Sequence, residues 1–115
     1  MKSTLTTLAV LCALAWGGLR AWHAYQNISP WTRAQWCMES GEYEKAIEHL
    51  RDAETQDPND MQVQVALAEC YDRLGDKATA AKVYKEVRPV IEDPEAPPEM
   101  EYHRDRLAIL ESLGY

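Results

Sequence analysis

Apolar residues crowd the start of this chain and are afterwards dealt out at helical intervals. From Leu5 to Tyr25 the only formally charged side chain is Arg20, and the run is long enough to cross a bilayer as a helix, which takes ~20 residues. Beyond Asn27 the pattern changes. Ser29 can cap free helix N–H groups and Pro30 tolerates a first helical position, so the pair predicts a helix running to about Ser40. Gly41 breaks it, and Tyr43, Ala46, Ile47, Leu50 and Ala53 then share one face of a second helix. The segment Asp57-Pro58-Asn59-Asp60 ends that helix and caps the next. From Met61 the scheme is repeated: a helix to Gly75, a cap at Asp76, and a second helix from Lys77 that Pro89 is expected to stop.

The two units are in register. Gly41 recurs as Gly75, Ala34 as Ala68, Ala46 as Ala80 and Leu50 as Tyr84, each displaced by 34 positions. Small residues have a mechanical reason here, because larger side chains at the closest helix crossings would push the helices apart. Two helical hairpins at this period resemble tetratricopeptide repeats. The resemblance rests on Ala34, Gly41, Tyr43, Ala46, Leu50, Ala53 and Pro58 in the first unit, and on Leu67, Ala68, Tyr71, Gly75, Ala80 and Tyr84 in the second. Departures at Cys37, Lys77, Val87 and Glu92 leave the period intact.

After a proline-rich connector, residues 89–100, one more helix is expected, with Met100, Leu107, Leu110 and Leu113 covering the face that the second hairpin cannot bury alone. The expected fold is therefore all-α: a transmembrane helix or signal anchor over residues 1–26, two tetratricopeptide hairpins over 27–94, and a C-terminal capping helix over 95–115.

Charge separates the same parts. All 19 acidic residues lie from Glu39 onward, where nine lysines and arginines oppose them for a net charge of −10, while residues 1–38 hold Lys2, Arg20 and Arg33. The acidic segment lacks the clustered basic face that phosphate contacts need, so nucleic acid is not an expected partner. For the apolar stretch two readings fit. As a retained single-pass helix it has Arg20 to snorkel and Trp22 and Tyr25 to sit at headgroup depth. As a cleaved signal peptide it has Lys2 as the charged end, Leu5 to Leu14 as the apolar region and Ala13-Leu14-Ala15 as the cleavage site. The aromatic belt favours retention. Small residues spaced by four, Ala9, Ala13, Gly17 and Ala21, form one ridge of that helix and would let another transmembrane helix approach closely. Because the segment also reads as an export signal, the repeat domain is expected on the extracytoplasmic side.

No catalytic constellation emerges. His23, His49 and His103 fall in separate elements, the latter two expected as solvated surface residues, and no phosphate-binding glycine loop occurs. Neither a metal nor a cofactor is expected. Cys37 and Cys70 fall on the first helices of adjacent units; packed helices lie 8–10 Å apart and a disulfide needs Cα atoms nearer ~6 Å, so they read as small apolar residues.

The resemblance implies a non-enzymatic protein–protein interaction module whose concave groove, lined by the first helix of each repeat, holds a peptide or helix. Carried over, the lining is Trp31, Gln35, Met38 and Glu39 from the first hairpin and Val65, Glu69, Asp72 and Arg73 from the second. Half apolar and half acidic, it lacks the lysine and asparagine pattern by which chaperone-docking members clamp a terminal carboxylate, and it suits a basic or amphipathic segment. The function so implied is an anchored scaffold, an assembly factor or accessory subunit of a membrane complex. The alternative is a soluble extracytoplasmic chaperone or carrier, cleaved after Ala15, for an extended client.

Overall fold

The computed structural model describes residues 2–115, apart from the side chains of Lys2, Tyr25 and Gln26; the roles expected of Lys2 and of Tyr25 therefore lie outside the described residues. The elements are α1 (Lys2–Gln26), α2 (Pro30–Glu39), α3 (Tyr43–Gln56), α4 (Met61–Arg73), α5 (Lys77–Glu86), α6 (Arg88–Ile91) and α7 (Met100–Ser112), with no strand among the described residues. The fold is all-α.

Helix starts follow the side chains that can satisfy free N–H groups. Ser29 accepts from the Thr32 backbone N–H, Asp60 from that of Gln62 and Asp76 from that of Thr79. The stops inside both hairpins share one geometry: Gly41 and Gly75 have φ of 76° and 87°, a left-handed conformation cheap for glycine. Each lets the next residue's N–H reach back to a carbonyl five residues earlier, Glu42 to Cys37 at 2.8 Å and Asp76 to Tyr71 at 2.9 Å. The same closure ends α7, where Gly114 has φ of 95° and the Tyr115 N–H bonds the Leu110 carbonyl at 3.1 Å.

Packing is decided at the alanines. Ala34, Ala46, Ala68 and Ala80 are all 0% exposed, so no volume is available beyond their Cβ atoms. The first core gathers Ala34, Ala46, Leu50, Ala53, Val63, Leu67 and Cys70; the second gathers Ala68, Ala80, Tyr84, Val87, Ile91, Leu107 and Leu110. Tyr71 touches both and is held by Arg51, whose guanidinium donates to its hydroxyl at 2.8 Å.

The C-terminal region departs from expectation in three places. Pro89 does not end helical structure: α5 stops at Glu86, and Pro89 sits in the first turn of α6, where its missing N–H is tolerated. The connector is then folded back by Ile91, which is fully buried. Leu107 and Leu110 cover the second hairpin as expected, but Leu113 is 64% exposed and covers nothing. Thirty-four residues after Ala68 stands Tyr102, and where Gly41 and Gly75 would predict a third turn stands Ile109 in mid-helix. α7 thus begins like the first helix of a third unit, and among the described residues it packs on α5 and α6.

Every described side chain from Ser3 to Ala24 is exposed, Ala9, Ala13, Gly17 and Ala21 included. This 22-residue stretch, with a mean hydropathy of 1.4, is long and apolar enough to cross a membrane, and by the same measure it passes for a signal sequence. Asn27, Ile28 and Ser29 alone separate α1 from α2.

Ala46→Leu or Ala80→Leu should overpack a closed crossing and cost ~1–3 kcal/mol, lowering the thermal midpoint of the helical signal in the full chain. An unchanged midpoint in both variants would show that these crossings do not govern stability.

Candidate functional site

Between the hairpins and the start of α7 lies an open groove of about 410 Å³. α2 contributes Trp31, Gln35 and Met38; α4 contributes Gln62, Val65, Ala66 and Glu69; the chain entering α7 contributes Pro97, Glu99, Met100 and His103. Helical spacing explains the first two sets, since residues three and four apart stack on one face. The third set exists because Ile91 pulls the connector back onto the second hairpin. The walls are mostly apolar, and their ionised groups are carboxylates: Glu69 and Glu99 line the groove and no lysine or arginine does, among the described residues. Burial pushes the Glu69 carboxyl above the usual range and nearby Asp72 adds to that, with the Arg73 guanidinium at 3.8 Å pulling the other way.

Of the residues expected in the lining, Trp31, Gln35, Met38, Val65 and Glu69 are brought together there, while Glu39, Asp72 and Arg73 are not. Glu39 is exposed at the end of α2, and Arg73 places its guanidinium over the Tyr102 ring, 5.8 Å from the centroid. Asp72 is the larger departure. It is 5% exposed, and its carboxylate accepts from Arg106 Nε at 2.7 Å, from Arg106 at a second nitrogen at 2.9 Å, and from Lys77 Nζ at 2.5 Å. Lys77 also donates to the Asp72 backbone carbonyl at 3.2 Å. A two-pronged guanidinium contact is the strongest arrangement a carboxylate can accept. Asp72 therefore ties α4 to the start of α5 and to α7, behind the groove rather than in it. Burial alone would raise its pKa, but the hydrogen bonds and charges of Arg106 and Lys77 outweigh that and hold it below the usual aspartate range.

His103 corrects a second expectation. It is half-buried on the groove wall, with Nδ1 3.0 Å from the Tyr84 hydroxyl and its ring in edge contact with Tyr102. Burial lowers its pKa, keeping the ring neutral below the ordinary histidine range. Pro97, Met100 and His103 were invisible as site residues in the sequence, because the repeat period ends before them; the signal available was the third-unit register of α7. His49 lies apart, beside Trp36 and Arg33 in a small pocket of about 120 Å³. Cys70 is buried, its thiol pushed up to about 12 by burial, with Glu69 and Cys37 adding to the rise, and Cys37 is half-buried in the same core. Both fill apolar space as free thiols.

A family model of the tetratricopeptide repeat matches residues 38–96, just over half of the chain. The chain belongs to the tetratricopeptide repeat family. Such repeats are a non-catalytic fold that binds proteins, and the chain carries a protein-interaction module of that kind. Comparison with curated proteins and with solved structures finds no match. Within this repeat protein the match runs from the last two residues of α2, Met38 and Glu39, through the second hairpin into the connector.

Asp72→Asn should destabilise the chain by ~2–3 kcal/mol, below the extreme for a buried pair because Arg106 and Lys77 keep side-chain exposures of 25% and 33%. With a folded pKa below the unfolded one, the Asp72 contribution is complete above the unfolded aspartate value of about 3.9 and is lost as pH falls through the folded value. Melting curves across that range should converge for wild type and variant at the acid end; a constant gap would refute the assignment.

Proposed function

We propose that this repeat protein is a membrane-anchored, non-enzymatic interaction module, an assembly factor or accessory subunit that holds a protein partner beside the bilayer. The observation that carries the reading is the pairing of a fully exposed apolar helix of membrane-spanning length with an interaction domain whose groove is apolar and acidic. An apolar floor takes the hydrophobic face of a peptide or helix, and Glu69 and Glu99 favour lysine or arginine at its margin. The bound segment is accordingly basic and amphipathic, seated on Trp31, Gln35, Met38, Val65 and Glu69.

In this reading the apolar helix crosses the bilayer once, with the repeat domain on the extracytoplasmic side. Its row of small residues, Ala9, Ala13, Gly17 and Ala21, packs against another transmembrane helix, for which their exposure leaves room. The domain limits that go with it are an anchor over 1–26, repeats over 27–94 and a cap over 95–115. A second reading, a cleaved and soluble extracytoplasmic chaperone for an extended client, draws on the position of the same helix near the N-terminus.

Alkaline carbonate extraction of membranes, with the mass of the mature chain, separates the two. Retention in the pellet with an intact N-terminus is expected; a soluble product beginning near Trp16 ends the anchored reading. For the groove, Glu69→Gln should leave the thermal midpoint within about 1 °C, since the pair with half-exposed Arg73 is long at 3.8 Å and the neutral amide avoids the cost of half-burying a charge. The same change should weaken capture of a basic amphipathic peptide, most at low ionic strength where charges are least screened. Equal affinity at low salt would place recognition elsewhere.

A further inference from the structure

Tyr84 is 0% exposed, and its hydroxyl lies 3.0 Å from Nδ1 of His103. Either atom can donate in such a contact, but the surroundings decide between them. Burial pushes the Tyr84 phenol far above its usual range, with Glu69 and Asp72 adding to the rise, so the hydroxyl keeps its proton. A buried O–H with no acceptor costs the full desolvation of that group, and His103 Nδ1 is the acceptor within reach. The hydroxyl therefore donates to Nδ1. The ring is neutral, so its one proton resides on Nε2. The two ring nitrogens face apart across the imidazole, so with Nδ1 turned inward to buried Tyr84 the Nε2–H of half-buried His103 is directed away from the core, on a residue that lines the groove.

A peptide laid along this groove has a specific need at that point. Its apolar side chains are met by Trp31, Met38 and Val65, but its backbone carbonyls lose water as the groove closes on them. The ionised carboxylates can only accept, so carbonyls must be met by the N–H groups of the wall: those of Gln35, Gln62 and Trp31 on the α2 and α4 side, and that of His103 on the α7 side. We infer that His103 is a ligand-positioning residue of the groove, oriented by Tyr84 so that its Nε2–H donates to a backbone carbonyl of the bound basic segment. The inference rests on the groove reading above and adds to it the polarity of one contact. The groups around His103 agree with a neutral donor. Tyr84 from α5 and Tyr102 on its own helix are uncharged, while Glu69 from α4 and Glu99 ahead of α7 supply the negative charge on the same groove. A cation here would work against a basic ligand; a neutral N–H does not.

The test uses the full chain in zwitterionic nanodiscs with ¹⁵N-labelled histidine, and as probe a fluorescein-labelled leucine–lysine amphipathic peptide, with empty nanodiscs subtracted. Nitrogen NMR should show His103 with Nδ1 unprotonated and Nε2 protonated, and the Nε2 resonance should move on peptide addition. In anisotropy titrations His103→Phe, which keeps a ring and removes the donor, should weaken the peptide about tenfold, and Tyr84→Phe, which frees the tautomer, about two- to threefold. A proton on Nδ1, an Nε2 resonance indifferent to bound peptide, or wild-type affinity in His103→Phe overturns the inference. If the wild-type chain binds no leucine–lysine peptide, the groove reading itself fails and the contact falls with it. The NMR readouts need no variant, so poor folding of either variant leaves the inference open to refutation.

Discussion

A stack of two hairpins ends on an apolar face, and the structure is organised around covering it. Each hairpin buries one side against its neighbour, and among the described residues the second is followed by a single helix in repeat register, α7. α7 is laid over that face by Leu107 and Leu110, and apolar burial alone fixes neither the rotation nor the axial position of a helix. Asp72 supplies the direction. Its carboxylate is met by the planar fork of Arg106 and by Lys77 at the turn between α4 and α5, so the capping helix, the turn and the second core settle in one arrangement.

The groove is a product of that arrangement. Most of its wall comes from α2 and α4 of the repeats; the rest comes from Pro97, Glu99, Met100 and His103, which are where they are because the cap is docked. The carboxylates divide accordingly. Asp72 is satisfied inside the protein and helps raise the Glu69 pKa, while Glu69 and Glu99 present their charge to the groove. Two acids three residues apart on α4 thus serve different ends.

Much of this was legible in the order of residues. The displacement of 34 positions, the capping serine and aspartates and the turn glycines each express a local rule, and local rules survive into the folded chain. The alanines at the crossings were legible for the same reason. What could not be read was the environment of a polar side chain whose partners are distant in sequence. Asp72 looks like any solvated acid near a helix end, because Arg106 meets it only once the cap is in place; His103 looks like a surface histidine because Tyr84 is 19 residues away. Leu113 failed in the opposite sense: its spacing fits the buried stripe, but it is the residue capping α7 as the chain turns out at Gly114.

Tyr102 marks the place where the small-residue pattern of the crossings is broken. In a repeat protein each unit offers its successor the same docking surface, and length is in principle open-ended. The position that closes a hairpin is filled by alanine at 34 and 68 and by tyrosine at 102, braced by Arg73 over its ring. A helix arriving there would meet an aromatic where a methyl is needed. A hairpin closed on α7 would therefore need that ring turned aside or replaced by a small side chain.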